Sequence, residues 1–215
     1  MDKARMETLR YLGHRGQELT PELETMLDEC MLLLRKSVSP VSVYKRFRLE
    51  CVQGKLALQN TSLFLEGEDI KHFLSGCTET VLFALTLGIE ADRLIRRFEG
   101  TDITRALVLD ACATQYVEEC CDVLEEEIRA QAFSEGLGIT GRFSPGYGDL
   151  PLEMQPELLR VLGTDKKLGL SCGESLIMLP RKSVTAIIGI GVSGGTSAGC
   201  SDCTLSGSCT YRKEK

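Results

Sequence analysis

The spacing of hydrophobic positions changes repeatedly along the chain, and each change marks an element. Met6, Leu9 and Leu12 recur at helical spacing, and after a polar break Leu23, Met26, Leu27, Cys30, Leu33 and Leu34 do so again. Thr20-Pro21-Glu22 sets a capping hydroxyl and a first-turn proline before the second run, and residues 37–40 end it. Residues 1–36 therefore predict an N-terminal helical segment of two helices. From Arg46 the period falls to two: Arg46-Phe47-Arg48-Leu49-Glu50-Cys51 predicts a strand with one wet face. Gln53-Gly54 predicts a turn, and Lys55–Leu58 with 62–65 the return. A short helix is expected over 67–73, and the nearly unbroken apolar run 80–87 reads as a strand covered on both faces.

Two more helices are expected, over 89–99 and 102–132, with Thr101 or Asp102 as the cap between them. In the longer one Ile103, Leu107, Thr114, Val117, Cys121, Leu124, Ile128 and Ala132 mark an apolar face. Asp110 falls near the middle of that face and Glu118 at its border, whereas Glu125, Glu126 and Glu127 read as a solvated run. The stretch Arg142-Phe143-Ser144-Pro145-Gly146-Tyr147-Gly148-Asp149-Leu150-Pro151 is too rich in glycine and proline for regular structure and predicts a shaped loop. A helix near 155–162 and strands near 168–170, 175–179 and 184–192 follow. Strands and helices interleave without a repeat, which predicts an α+β fold: a single domain with a mixed or antiparallel twisted sheet, flanking helices and the N-terminal helical segment. The expected organisation is a helical segment over 1–36, the α+β domain over 37–192, and a Gly/Ser/Cys-rich tail over 193–215.

Composition narrows the chemistry. The 215 residues suffice for one substantial core, and with no tryptophan the core must be aliphatic. A formal net charge of −6 counts against binding nucleic acid through its phosphates. No apolar run approaches a membrane span and the first residues are charged, so a cytoplasmic protein with no membrane partner is expected, its ten cysteines reduced. Cys30, Cys51, Cys77, Cys112, Cys120 and Cys121 then read as small apolar side chains. Gly189-Ile190-Gly191-Val192-Ser193-Gly194 fits a dinucleotide fingerprint in letters alone, because no helix pattern follows it. His14 and His72 lie far in sequence from the glycine-rich loop, and no Ser–His–acid or Cys–His arrangement supports hydrolysis. Cys200, Cys203 and Cys209, with Cys172 as a fourth, have the makings of a zinc or iron–sulfur site; the other reading is a tail of unligated or redox-labile thiols.

The loop carries the richest set of groups. Arg142 offers a rigid fork suited to a carboxylate, Gly146 lets a ligand approach the backbone, and Tyr147 offers a flat ring with a polar tip. A rigid structural loop whose arginine caps a helix would use the same residues. Arg142-x-x-Pro145-Gly146-Tyr147, followed by Glu174-Ser175-x-x-Met178-x-Pro180-x-x-Ser183-Val184, resembles the activation (reactivation) domain of vitamin B12-dependent methionine synthase. The opening Leu9-Arg10-Tyr11-Leu12-Gly13 and the stretch 84–92 resemble the free-standing bacterial form, so the likeness runs to about residue 190.

The resemblance implies an accessory component that is not catalytic alone. In that family the domain holds S-adenosylmethionine over a partner's cobalamin while a flavodoxin- or ferredoxin-like donor supplies an electron. Methyl transfer from the sulfonium then traps the reduced cobalt. By position, the resemblance implies that Arg142 binds the S-adenosylmethionine carboxylate, that Ser144 and Gly146 meet the ligand through backbone groups, that Glu118 is the acid on the preceding helix, and that Tyr147 lies near the cobalt face. Fused members usually read Arg-Pro-Ala-Pro-Gly-Tyr, where Phe143 and Ser144 stand here. The rival reading is a Cys-cluster electron-transfer protein that reactivates another corrinoid methyltransferase.

Overall fold

The computed structural model describes residues 3–191. In chain order, α1 (Lys3–Tyr11) and α2 (Pro21–Ser37) precede β1 (Val41–Val52), β2 (Lys55–Leu58), β3 (Phe64–Leu65), α3 (Glu68–Phe73) and β4 (Cys77–Thr86). Then come α4 (Ile89–Glu99), α5 (Ile103–Ser134), β5 (Gly138–Ile139), a 3₁₀ turn at Leu152–Met154, α6 (Gln155–Leu162), α7 (Thr164–Leu168), β6 (Ser171–Cys172), β7 (Met178–Leu179) and β8 (Ser183–Gly191). The fold is α+β. One sheet has the order β3-β2-β1-β4-β8-β5, every neighbouring pair antiparallel, and β6 with β7 makes a separate hairpin.

The run 80–87 is nearly all apolar because β4 and its neighbour β8 are buried on both faces, in one register from Glu79↔Ile190 to Thr86↔Ser183 with a bulge before it at Cys77. Val81, Phe83 and Leu85 with Ala186, Ile188 and Ile190 face α1, α2, α4 and α5. Leu82, Ala84 and Ile187 face the other way, against α3, α6 and the β2–β3 hairpin. Leu9, Leu27 and Leu34 belong to the first of these cores, so the N-terminal helices share it with the sheet. At the predicted turn Gln53 and Gly54 have φ of 52° and 79°, the left-handed pair that a two-residue hairpin matched to strand twist requires. Thr20 caps α2, its hydroxyl accepting from Leu23 N at 3.3 Å.

Three expectations change. No strand forms at 168–170: residues 164–168 are α7, which Gly169 ends in the left-handed region at φ 62°, and the strand at 175–179 shrinks to β7. Strand β1 starts at Val41, ahead of the pattern noticed at Arg46, because Val41–Lys45 already ladder with Thr86–Leu82. On α5, Ile103 and Leu107 are exposed, and Asp110 is half-buried rather than central. The inner face of those turns runs through Ala106, Leu109 and Ala113, and the two small alanines let α5 settle close to the sheet.

The cysteines also divide. Cys30, Cys112 and Cys121 are buried in the core as expected, Cys77 and Cys120 are half-buried, and Cys51 is exposed near the end of β1. Burial pushes the Cys112 and Cys121 thiols up to about 12. Gly189 and Gly191 lie inside β8, where a Cβ on Gly189 would stand 2.6 Å from Cys77 Sγ and 2.8 Å from a Leu74 methyl. These glycines admit close packing rather than a phosphate.

Residues 138–144 run along the outer edge of β8. Beyond the β5 pairing, Thr140 N donates to Gly189 O (2.9 Å) while its hydroxyl accepts from Gly189 N (2.8 Å). Phe143 and Ile187 exchange both backbone bonds, and the Ser144 hydroxyl donates to Thr185 O at 2.8 Å.

Gly189→Ala is expected to lower stability by about 1–3 kcal/mol in urea unfolding, because the new methyl overpacks against Cys77 and Leu74. Native-state alkylation at pH 8, read peptide by peptide, is expected to label Cys51 rapidly and to leave Cys112 and Cys121 unlabelled, since both are buried and protonated there.

Candidate functional site

Helix α5 sets Glu118, Asp122 and Glu125 on one flank, at helical spacings that stack side chains. Arg142 enters opposite them, fixed from behind by the Phe143–Ile187 bridge. Its Nη2 is 2.7 Å from Asp122 Oδ1 and 3.2 Å from Glu118 Oε2, and its Nε is 3.3 Å from Glu125 Oε2. Burial acts to lower the Arg142 pKa, but the surrounding carboxylates and Cys121 outweigh it, and the guanidinium is held above its ordinary value. Its third nitrogen, Nη1, is shut off from solvent and has no partner among the described residues. A buried donor in that state costs about 1–3 kcal/mol.

Beside this cluster lies a cleft of about 230 Å³ between α1 and α5. Arg142, Glu118 and Asp122 line one part of it, and Lys3, Glu7 and Tyr11 of α1 another. Glu7 is held by Arg10 (2.8 and 3.0 Å), whose guanidinium lies over the Tyr11 ring at 4.4 Å. Burial, then the charge of Glu118, raises the Tyr11 pKa, so its phenol stays a neutral donor. Arg35 reaches across from α2, donating to both oxygens of Glu119 (2.9 and 2.7 Å) above the Tyr116 ring. Burial acts against ionising Glu119, but its bonds to Arg35 and Gln115 prevail and lower its pKa. The cleft therefore offers cations and carboxylates side by side, the pairing that a zwitterionic amino-acid group requires.

The loop after Arg142 is locked by its own bonds. Gly146, at φ 88°, donates N–H to Leu150 O (2.9 Å), and Tyr147 N–H returns to Ser144 O (3.0 Å). The Gly146 N–H is thus already engaged, and the approach that glycine allows is to its bare Cα. Tyr147 is 60% exposed, and Leu152, 41% exposed, lies against Gly146. Asp149 closes the loop by accepting from Glu68 N (2.5 Å) and Asp69 N (3.1 Å) at the start of α3.

The second motif buttresses the first. Gln155 Nε2 donates to Thr185 Oγ1 at 2.8 Å and approaches Met178 Sδ at 3.2 Å, behind the strand that Ser144 grips. Glu174 and Ser175 are exposed on the β6–β7 turn. Lys182 Nζ is anchored on α5 by Asp110 Oδ1 (2.8 Å) and Thr114 Oγ1 (2.9 Å), so Asp110 is an ion-pair partner two turns before Glu118.

Of the residues singled out from sequence, the structure joins Glu118 to Arg142, sets Ser144 on the edge of β8, and places Gly146 and Tyr147 on the outer loop. Asp122 and Glu125 were missed. Glu125 is only 18% exposed and pairs with Arg142 and Arg129, which corrects its reading as part of a solvated run. The 118–122–125 spacing on a single helix flank was the available signal. Tyr11 also went unassigned, since nothing local to its sequence places it beside Arg142.

For the proposed metal site, Cys172 is half-buried, its thiol pKa raised by burial, and Cys200, Cys203 and Cys209 lie outside the described residues. Among the described residues no group of three His, Cys, Asp or Glu side chains could hold a metal, and no helix is long and apolar enough to cross a membrane.

A solved structure titled "Crystal Structure of the MetH Reactivation Domain bound to AdoHcy" matches with a TM-score of 0.66 at 19% identity, covering 83% of this chain and 71% of that one. None of the curated proteins compared with the chain matches it. The family described as vitamin B12 dependent methionine synthase, activation domain, matches over residues 68–193, a segment that holds Glu118, Asp122, Glu125, Arg142 and Tyr147. That segment is more than half of the 215 residues, and the chain belongs to the family of activation domains of vitamin B12-dependent methionine synthase.

Proposed function

We propose that this chain binds S-adenosylmethionine at Arg142 and, docked on a cobalamin-carrying methionine synthase, positions it for reductive methylation of the cobalamin. The observation that carries the reading is the Arg142 guanidinium on the wall of the cleft, with Glu118 and Asp122 beside it. A planar guanidinium matches a carboxylate with two parallel bonds, and a ligand carboxylate would compete with Glu118 and Asp122 for it. Glu118 and Asp122, released in part from Arg142, are placed to accept from the ligand ammonium. The solved reactivation domain of similar fold, bound to AdoHcy, supports the same ligand class.

The chain's own contribution is positioning. Fixing two reactants in register can account for on the order of 7–11 kcal/mol of a barrier, without any proton transfer by the protein. Tyr147 and Leu152 present exposed apolar surface on the loop that begins at Arg142, the side on which a partner carrying the macrocycle would sit. The partner's corrinoid supplies the cobalt that accepts an electron from a flavodoxin- or ferredoxin-like donor and then the methyl group. S-adenosylmethionine loses that methyl from sulfur and leaves as the neutral thioether, S-adenosylhomocysteine. The protein is in this reading an accessory subunit of the methyltransferase.

Isothermal titration of S-adenosylmethionine into the protein is expected to show binding that Arg142→Ala abolishes and that Tyr147→Phe leaves within about twofold. Absence of binding to the wild type, with the cobalamin-loaded partner present, would overturn the assignment. Glu118→Gln is expected to weaken binding about tenfold, the loss of one charge-assisted contact. Because Glu118 is 43% exposed, the same change should move the urea unfolding free energy by less than about 1 kcal/mol.

A further inference from the structure

The family match begins at residue 68, yet the cleft beside Arg142 is partly walled by α1, more than fifty residues earlier. That helix is held in place. Leu9 is 2% exposed in the main core, Thr8 is fully buried, and Arg5 pairs with Asp28 (2.9 Å) and Glu24 (3.5 Å) of α2. The position of Tyr11 is therefore set by the packing of α1, with Arg10 at its ring and its hydroxyl. Tyr11 lines the same cleft as Arg142, and Glu118, 3.2 Å from Arg142 Nη2, is also the acid whose charge acts on the Tyr11 phenol. The Arg10 guanidinium donates to the phenolic oxygen, which leaves the Tyr11 proton to be given to a ligand.

We infer that Tyr11 is a ligand-binding residue: its hydroxyl donates a hydrogen bond to the same amino-acid carboxylate that Arg142 holds, so that α1 completes the site from outside the family-matched segment. The inference rests on the reading that S-adenosylmethionine binds at Arg142. The chemistry is that of a second donor on an anion. One carboxylate has lone pairs for the guanidinium fork and for a hydroxyl besides, and a neutral phenol adds a donor without adding charge to a cleft that must also accept an ammonium. Tyr11→Phe keeps the ring, and with it the stacking of Arg10, and removes the hydroxyl.

The test is titration of wild type and Tyr11→Phe with S-adenosylmethionine and with its decarboxylated analogue, which keeps the sulfonium, the amine and the adenosine. The expected result is about a tenfold or greater loss of S-adenosylmethionine affinity in Tyr11→Phe, with affinity for the decarboxylated analogue and thermal midpoint unchanged. Equal affinity of the two proteins for S-adenosylmethionine would overturn the inference while leaving Arg142 as the carboxylate site. An equal loss for both ligands would overturn it as well, by showing that Tyr11 acts on the shape of the cleft rather than on the carboxylate. Failure of the wild type to bind S-adenosylmethionine would remove the reading beneath it.

Discussion

Strands β4 and β8 pair over nine residues of β8 with both of their faces covered, and this pairing places every group that matters to the site. Because side chains alternate along a strand, a slip of one residue would send Val81, Phe83, Ile188 and their neighbours to the wrong core. Each such side chain contributes about 1.5–3 kcal/mol on burial, so the register is strongly fixed. Arg142 then has a defined height above α5, because Phe143 is tied to Ile187 and α5 lies on the same strands through Leu109, Ala113 and Val117. The distance from guanidinium to carboxylates follows from the packing of apolar residues several ångströms below them.

Charge at the site is unbalanced in one direction: three carboxylates meet one guanidinium. Such an arrangement is tolerable where two of the acids remain largely in contact with water, as Glu118 and Asp122 do at 43% and 55% exposure. The local field favours cations. Within the proposed function, S-adenosylmethionine carries an ammonium and a sulfonium against one carboxylate, whereas its thioether product has lost the sulfonium. The same acids that steady Arg142 would thus favour the reactant over the product, by an attraction that weakens with salt.

Much of this was legible in the sequence. The helices at 89–99 and 155–162 and the turn at Gln53-Gly54 are where pattern and turn chemistry set them, because their periodicity and caps agree. The region after residue 163 was not, since Gly169 ends a helix there whose five residues are too few to show a period. The register of α5 was misread near its start, where large apolar residues face solvent and alanines face the core. At the site, Arg142 and Glu118 were each singled out by the family resemblance but not paired, and the part played by Asp122 and Glu125 could have been read from helical spacing. The place of Tyr11 could not, because it depends on how α1 lies across α5, which no local pattern encodes.

The segment 138–144 also covers the free edge of the sheet. Beyond β5 the sheet would end in the open backbone of β8, an apolar strand of the kind that recruits other chains edge to edge. Thr140, Phe143 and Ser144 occupy that backbone at Gly189, Ile187 and Thr185 in turn. The stretch that leads into the arginine is therefore a seal on the sheet, and its freedom to vary is limited by self-association as much as by any ligand. Variants that loosen it would bare that edge to other chains.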